Sequence, residues 1–344
     1  MITFRRHISL LPYNTFAVPA VADTFIVSDN AAELTHELHE LRRKNRLPET
    51  MLILGGGSNV LFVSSPSWVV HPDFKGVKIE KEDESTVWVR AYAGETWDDF
   101  VAWCVERDYS GMENLSAIPG TVGACPVQNI GAYGREAKDV IEQVEVFDIT
   151  EGEMLSFSRK DCTFNYRDSF FKHHRGRYLI VSALFGLSKT FTPQLSYAGL
   201  MEEMGNKPVT PATVREAVIS IRRRKLPDCT VLGNAGSFFK NPAVPVRKAG
   251  LLQQQYPSLP VYPAAKGYRK VSAAWLIEQC GWKGTRKGNV GCFGLQPLIL
   301  INCGNASGKE LMDFANEIMD SVEKKFDIRL EPEVRIIHDS TDRV

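Results

Sequence analysis

The first candidate for a ligand-binding segment is Gly55-Gly-Gly-Ser-Asn59. It lies between two apolar runs, 51–54 and 60–62, which predict buried strands. Consecutive glycines expose backbone N–H groups without a Cβ in the way, as close approach to a pyrophosphate requires. The segment matches neither a Walker loop nor a G-x-G-x-x-G fingerprint that opens a helix. Taken alone, it favours a plain tight turn over a phosphate cradle.

A second segment, 113–134, contains four glycines and two prolines and has no helical or strand period. Irregular segments of this length inside a compact chain are usually functional or disordered, and its apolar content argues against disorder. The segment therefore predicts a wall that wraps an extended polar ligand such as a dinucleotide cofactor.

Two polar side chains stand among aromatic residues. Arg167 offers a planar fork that suits a carboxylate or phosphate, although an ion pair with the neighbouring Asp168 is an equally good interpretation. Ser237 precedes two phenylalanines, without a G-x-S-x-G elbow or a nearby histidine. Its surroundings do not support a hydrolase nucleophile, and they favour a structural role over proton donation.

Charged residues near the C-terminus form a third candidate. In an extended strand over 330–337, broken by Pro332, the side chains of Glu331, Glu333 and Arg335 share one face. That face is either a solvated edge or an acid and base aimed into a cleft. The cations Arg222 to Lys225 have a simpler explanation, since positive charge stabilises a helix C-terminus by about 0.3–1 kcal/mol.

Composition narrows the classes of partner. Lys and Arg total 41, as do Asp and Glu, so zero net charge argues against nucleic acid or a membrane surface as partners. Seven scattered cysteines and isolated histidines predict no disulfide framework and no metal site. A membrane span needs about 20 consecutive apolar residues, and no apolar run approaches that length. No signal peptide is evident. We expect a reduced, cytoplasmic protein with no obligate protein partner.

The predicted elements that must position these residues alternate between helix and strand. Helical patterns begin at Asn30, Trp97, Thr210, Val271 and Gly308. Strand patterns cover 87–92, 140–147, 153–157, 177–187 and 298–302, in addition to those flanking the first glycine segment. The region after Pro227 mixes helix and strand patterns and predicts a separate α+β domain, with boundaries near Pro227 and Phe326.

Seven segments, in order and spacing, resemble the UDP-N-acetylenolpyruvoylglucosamine reductase (MurB) family of flavoenzymes in peptidoglycan synthesis. A further stretch, 195–200, is similar to the tyrosine-bearing loop of the type I subclass found in enterobacteria. The seven segments are Asn14-Thr-Phe16, Gly55 to Asn59, Ile118 to Gly123, Gln128 to Gly134, Tyr166-Arg-Asp168, Gly236 to Pro242 and Glu331 to Arg335.

The resemblance implies a two-lobed FAD-binding region of the vanillyl-alcohol-oxidase (PCMH) type and a C-terminal mixed α+β substrate-binding domain. The first lobe would comprise 1–72 and 328–344, the second 73–226, and the substrate-binding domain 227–327.

The resemblance also implies a reaction: NADPH reduces noncovalent FAD and leaves, and the nucleotide sugar then receives hydride in the same cleft. By position, Ser237 would donate the proton, Arg167 would hold the substrate carboxylate, and Glu333 would protonate or polarise the enol. Substrate contacts would come from Tyr197, Lys225, Asn241 and Gln296. FAD contacts would come from Gly55, Gly56, Gly57, Ser58, Asn59, Ile118, Pro119, Gly120, Gly123, Ala124, Gln128, Asn129, Gly131, Ala132, Tyr133 and Arg335.

Three positions depart from the family pattern: Ala17 where glycine is usual, Ala124-Cys125 in place of small hydroxyl residues, and Cys292-Phe293 where a histidine is common. They affect the cofactor contacts and the lining of the substrate domain but leave the three catalytic positions intact. The alternatives are a related FAD-linked sugar or alcohol oxidase, and a nucleotide-sugar-binding protein that has lost catalysis.

Overall fold

The computed structural model of the protein describes residues 1–197 and 199–338. Its strands, in chain order, are β1 (Thr3–Ser9), β2 (Val21–Ser28), β3 (Leu52–Ile53), β4 (Val60–Phe62), β5 (Trp68–Pro72), β6 (Val77–Glu82), β7 (Thr86–Tyr92), β8 (Gly131–Ala132), β9 (Arg135–Glu136), β10 (Ile141–Asp148), β11 (Glu153–Ser158), β12 (Tyr178–Ser188), β13 (Ala243–Pro245), β14 (Val261–Pro263), β15 (Tyr268–Val271), β16 (Arg286–Lys287), β17 (Val290–Cys292), β18 (Leu300–Asn302) and β19 (Arg335–Ile337). Its α-helices are α1 (Ala31–Arg43), α2 (Trp97–Val105), α3 (Phe170–His173), α4 (Leu200–Met204), α5 (Pro211–Lys225), α6 (Val246–Gln255), α7 (Ala273–Gln279) and α8 (Gly308–Phe326).

The first sheet has the strand order β1-β2-β5-β3, with β1 antiparallel to β2 and the remaining pairs parallel. Helix α1 begins after Asn30, whose side chain accepts a hydrogen bond from the backbone N–H of Glu33. Its apolar spacing buries Leu34 and Leu38 in a core that includes Ile26 and Val70 of the sheet. The sheet ends at β3, and the first glycine segment follows β3 directly.

The second sheet is antiparallel throughout, in the order β11-β10-β12-β7-β6. Helix α2 packs Trp97 and Phe100 against Phe185 of the long central strand β12. The indole N–H of Trp97 also donates to the carbonyl oxygen of Leu115 at 2.8 Å. This bond ties the start of the second glycine-rich segment to the core of the sheet.

The region after α5 contains two small sheets, β13-β15-β14 and β16-β17-β18, with helices α6 to α8. Helix α8 starts with a capping box between Ser307 and Glu310. Its apolar face shares one continuous core with the first sheet, in which Phe16 and Phe25 join Phe238 and Phe314. The chain then returns in β19, which pairs in parallel with β4 beside the first glycine segment.

The helices and strands predicted from sequence are confirmed, with ends that differ by one or two residues, except for the final strand. The chain bends at Glu333 and Val334, and β19 begins only at Arg335. The side chain of Glu331 is therefore 75% exposed, whereas that of Glu333 is 11% exposed. The prediction that both carboxylates share one face is wrong, because it assumed extended geometry from Glu331 to Arg335, where the chain bends.

The predicted domain boundaries remain predictions, and residues 339–344 of the first lobe lie outside the described residues. All seven cysteines are free. Among the residues with described structure, no helix is long and apolar enough to cross a membrane.

Candidate active site

A single large cavity of about 1500 Å³ contains the candidate residues from all parts of the chain. Every predicted site residue lines it except Asn129. The side chain of Asn129 is fully buried behind the wall, where its amide nitrogen donates to Glu136 and to the carbonyl oxygen of Asn165. Its place in the structure is therefore that of a support for the loop that carries Arg167.

The two glycine-rich segments meet and form one face of the cavity. Gly57 has a φ of 61°, and a Cβ there would lie 1.9 Å from the carbonyl oxygen of Tyr13. A Cβ on Gly56 would lie 3.0 Å from Cα of Gly120, so backbone packs directly on backbone. The Ser58 hydroxyl donates to the carbonyl oxygen of Pro119 at 2.8 Å and joins the two segments. The turn between β3 and β4 is thus a tight turn and also part of a ligand-sized cleft.

Charged side chains fix the backbone at Ala117, which enters the second segment with a left-handed φ of 56°. The side chain of Asp98 accepts a hydrogen bond from the N–H of Ala117 at 2.5 Å. Nε of Arg222 donates to the carbonyl oxygen of Ala117 at 3.1 Å. Asp98 is in turn held by Arg215. Burial opposes ionisation of Asp98, but the bonds from Arg215 and Ala117 outweigh it and lower its pKa.

Arg222 was predicted only as a cation at the end of α5, and the structure gives it a further place. It lines the cavity, where burial lowers its pKa against opposing effects from Tyr133 and Asp98. No sequence pattern distinguished it from the adjacent Arg223, which also lines the cavity but is exposed. Only the packing of α5 against the second segment determines which of the two arginines is the more buried.

Arg167 and Glu333 form an ion pair within the cavity, with Nε of Arg167 2.7 Å from Oε1 of Glu333. Arg167 has a left-handed φ of 53°, and Lys172 donates to its carbonyl oxygen at 2.7 Å. Its guanidinium also donates to the carbonyl oxygen of Gly131 at 2.7 Å. A non-glycine residue in this conformation costs about 1–3 kcal/mol and persists only where its surroundings hold it. These contacts fix the direction of the guanidinium.

The alternative ion pair between Arg167 and Asp168 is not formed. Asp168 instead lies 2.9 Å from Nε2 of His173, on the exposed side of the loop. Arg167 is therefore available to the cavity, as its role in holding a carboxylate requires.

Backbone hydrogen bonds join the segment that carries Ser237 to the segment that carries Glu333. The N–H of Glu333 donates to the carbonyl oxygen of Phe238 at 2.7 Å, and the N–H of Lys240 donates to the carbonyl oxygen of Glu331 at 3.0 Å. Asn59 links the second of these segments to the glycine face, since its amide donates to the carbonyl oxygen of Glu333 at 3.3 Å. The half-buried Ser237 lines the same cavity as the side chains of Glu333 and Arg167.

Aromatic and cationic side chains also line the cavity. The ring of Tyr197 meets that of Tyr133 with 4.7 Å between centroids, and Lys225 is a further lining residue. The ammonium of Lys270 lies 3.9 Å from the centroid of the Tyr166 ring. Burial lowers the pKa of Lys270 and raises that of Tyr166.

Sequence reasoning assigned no role to Lys270 or Tyr166. Tyr166 belongs to the motif Tyr166-Arg-Asp168, whereas nothing in the sequence around Lys270 indicated a site. Of the predicted substrate contacts, Asn241 is already engaged in part, because its side-chain oxygen accepts from the N–H of Ala273. Within the described residues, no cluster of histidine, cysteine and acidic side chains is arranged to hold a metal ion.

Comparison with known proteins relates this site to one family. Residues 228–337 match the profile described as "UDP-N-acetylenolpyruvoylglucosamine reductase, C-terminal domain", and residues 23–158 match "FAD binding domain". The chain is 44% identical to the UDP-N-acetylenolpyruvoylglucosamine reductase of Amoebophilus asiaticus, covering 97% of this chain and 99% of that protein. It is 43% identical to the protein of the same name from Pseudomonas fluorescens, covering 95% and 96%.

The fold agrees with that assignment. The crystal structure of the reductase from Thermus caldophilus superposes with a TM-score of 0.66, at 22% identity, over 98% of this chain and all of that one. Together with the FAD-binding profile, this likeness confirms the predicted α+β fold with a two-lobed FAD-binding region. Full-length identity above 40% confirms the resemblance seen in the motifs. The chain belongs to the UDP-N-acetylenolpyruvoylglucosamine reductase (MurB) family.

Proposed function

We propose that this chain reduces the enolpyruvyl group of UDP-N-acetyl-enolpyruvoylglucosamine to give UDP-N-acetylmuramate, a cytoplasmic step in peptidoglycan precursor synthesis. The observation that carries the proposal is the Arg167–Glu333 ion pair, which shares one cavity with Ser237 and the glycine face. In this proposal, Arg167 would bind the substrate carboxylate and Ser237 would donate the proton, and both line the cavity together with the glycine segments.

The residues present fit FAD. The cavity of about 1500 Å³ exceeds the roughly 300–1,000 Å³ typical of a single small-ligand site, so cofactor and substrate can occupy it together. The glycines at 55–57 pack directly against other protein atoms and line the cavity without a side chain. The hydroxyl oxygen of Thr15 is buried on this side without a hydrogen-bond partner in the described structure. When bound, FAD accepts hydride from NADPH and passes it to the substrate.

Arg167 supplies the electrostatic part of the mechanism. Addition of hydride to the enolpyruvyl ether builds negative charge towards the substrate carboxylate, and a fixed guanidinium stabilises that charge most when it needs no reorientation. The bonds from Arg167 to Gly131 and from Lys172 to Arg167 provide this fixed orientation. Glu333, paired with the same guanidinium at 2.7 Å, is placed to polarise or protonate the enol system.

Ser237 supplies the proton for the carbon alpha to the carboxylate. A serine hydroxyl is a weak acid, so it is an effective donor only towards a strongly basic carbon and from a fixed position. The hydrogen bond between the N–H of Glu333 and the carbonyl oxygen of Phe238 fixes the backbone next to Ser237. Tyr197, Lys225, Asn241 and Gln296 line the cavity where they would hold the nucleotide sugar, and Lys225 brings positive charge for its diphosphate.

Turnover assays test the proposal. The purified protein is expected to carry a flavin absorbance spectrum and to oxidise NADPH only when the enolpyruvyl nucleotide is present. A related sugar or alcohol oxidase would instead consume oxygen with a free sugar and without NADPH. A colourless protein, or one with that oxidase behaviour, would contradict the proposed reaction.

A further inference from the structure

Asn114 joins two segments of the cavity that are distant in sequence. It lies in a short 3₁₀ turn, Glu113–Leu115, and its side chain is fully buried. Its amide nitrogen donates to the carbonyl oxygen of Tyr133 at 2.9 Å and to that of Gln194 at 2.8 Å. Since one planar NH₂ group carries two donors in a fixed fork, these two carbonyls are held at a defined separation.

Both segments carry an aromatic side chain that lines the cavity. Tyr133 and Tyr197 meet edge to face, with an angle of 67° between their ring planes. The backbone of Tyr133 is left-handed, with a φ of 49°, a conformation that persists only where its surroundings hold it, and the bond from Asn114 is one of the contacts that do so.

The segment that carries Tyr197 depends on Asn114 for its polar attachment. It runs from the end of β12 to the start of α4, and its Phe191 and Leu195 pack against the small core between α4 and α5. In the described chain, no other hydrogen bond joins residues 191–196 to a different segment. Apolar packing holds the segment against this core. It does not fix how the segment is shifted along its own direction, because apolar contacts have little directionality.

We propose that Asn114 is a positioning residue for the nucleotide sugar: its amide sets the register of the Tyr197 segment against Tyr133. The inference rests on the proposed contact between Tyr197 and the substrate. A buried amide without its carbonyl partners, or carbonyls without their donor, is unfavourable, so the bonded arrangement is strongly preferred in the folded protein.

The test compares Asn114→Asp and Asn114→Ala with Ser116→Ala as matched control. Ser116 is equally buried in the same region, but its hydroxyl donates only to the carbonyl oxygen of Glu113. Both Asn114 variants are expected to raise KM for the nucleotide sugar about tenfold, the effect of losing roughly one to two net hydrogen bonds. Ser116→Ala is expected to leave KM, FAD content and the flavin spectrum unchanged. Unchanged KM in both Asn114 variants would overturn the inference.

A double-mutant cycle with Tyr197→Ala separates this inference from the proposed function. If Asn114 acts through the Tyr197 segment, Asn114→Asp adds little to KM once Tyr197 is removed. Full additivity would overturn the positioning role. If Tyr197→Ala itself leaves KM unchanged, the proposed substrate contact fails, whatever the Asn114 variants do.

Limited chymotrypsin digestion gives a readout that does not depend on activity. Cleavage after Phe191, Leu195 or Tyr197 in the substrate-free holoenzyme is expected to accelerate in Asn114→Asp and to stay unchanged in Ser116→Ala. Equal rates in both variants would contradict the attachment. If both Asn114 variants fail to fold while Ser116→Ala folds, Asn114 is a stability element of the whole lobe and the inference is also overturned.

Discussion

The two sides of the cavity differ in how they present polarity. The glycine wall, residues 55–59 and 118–123, contains no charged side chain and offers backbone groups and small residues. The side-chain wall, which comprises Arg167, Lys225, Ser237 and Glu333, offers ionised and hydroxyl groups from separate elements. A chain of zero net charge therefore has two ways to hold anions. We expect substitutions in the glycine wall to act through the shape of the backbone on FAD binding. We expect substitutions in the side-chain wall to act through the loss of a charge or a hydroxyl group on substrate binding and catalysis.

The largest expected effect lies in the side-chain wall. Ser237→Ala removes the proposed proton donor and is expected to slow flavin reoxidation by the nucleotide sugar by about 10²–10⁴-fold. Flavin reduction by NADPH is expected to stay unchanged, because that half-reaction needs no proton from Ser237. Stopped-flow absorbance measures the two half-reactions separately.

Cys229→Ala is the control for Ser237→Ala, since Cys229 also lines the cavity but has no role in the proposed mechanism. It is expected to leave both half-reactions intact. Equal slowing of both half-reactions in Ser237→Ala would indicate a general disturbance of the site and would remove the proton-donor assignment.

In the glycine wall, Gly57→Ala is expected to abolish stable FAD binding. The new Cβ would meet the carbonyl oxygen of Tyr13 at 1.9 Å, so the turn must move. Left-handed strain adds about 1–3 kcal/mol. Flavin content after purification and the Kd for added FAD measure the effect.

Gly281→Ala separates strain from the clash at Gly57. Gly281, which follows α7, also has a positive φ, of 82°, but a Cβ there meets nothing within 4 Å. This variant is expected to lose some stability and to keep its flavin. If it loses flavin as readily as Gly57→Ala does, the shape of the glycine wall is not what holds the cofactor.

Lys225→Ala is expected to have a smaller and more selective effect. Loss of a single charge near the proposed diphosphate should raise KM about tenfold with little change in kcat. Arg224→Ala is the matched control, because Arg224 is a neighbouring cation engaged with Glu203 on the surface. Steady-state kinetics with both variants test the assignment, and a shared change in KM would point to bulk charge instead of a specific contact.

Sequence predicted the glycine wall better than the side-chain wall. A run such as Gly55 to Gly57 signals close backbone approach by composition alone, and the structure shows that approach at Gly120. For Ser237, by contrast, the surrounding sequence favours a structural role, and only the resemblance to the family predicts proton donation. The reason is that its segment is bonded to residues about a hundred positions away, such as Glu333. Local sequence contains no information about such pairings.

The same reason explains the residues that were missed. Arg222 and Arg223 are adjacent arginines on one helix, and only tertiary packing turns the first towards Ala117. Asn129 shows the opposite error, since a polar residue in a matched motif was predicted to touch the cofactor and supports the wall from behind. Spacing identifies which segments form a site, whereas side-chain direction depends on contacts between segments.

The smallest predicted effect concerns the turn behind the glycine wall. Thr15 donates its N–H to the carbonyl oxygen of Gly57, and two residues later Ala17 has a left-handed φ of 52°. Ala17→Gly removes this strain but increases the entropy of the unfolded chain, so the net gain is about 0.5–1 kcal/mol. Urea denaturation should show a higher midpoint with an unchanged slope. Ala17→Val should lower the midpoint, because a β-branched side chain tolerates positive φ poorly. A lower midpoint for Ala17→Gly would contradict this prediction. It would show that the lower entropy of the unfolded chain with alanine outweighs the left-handed strain at this position.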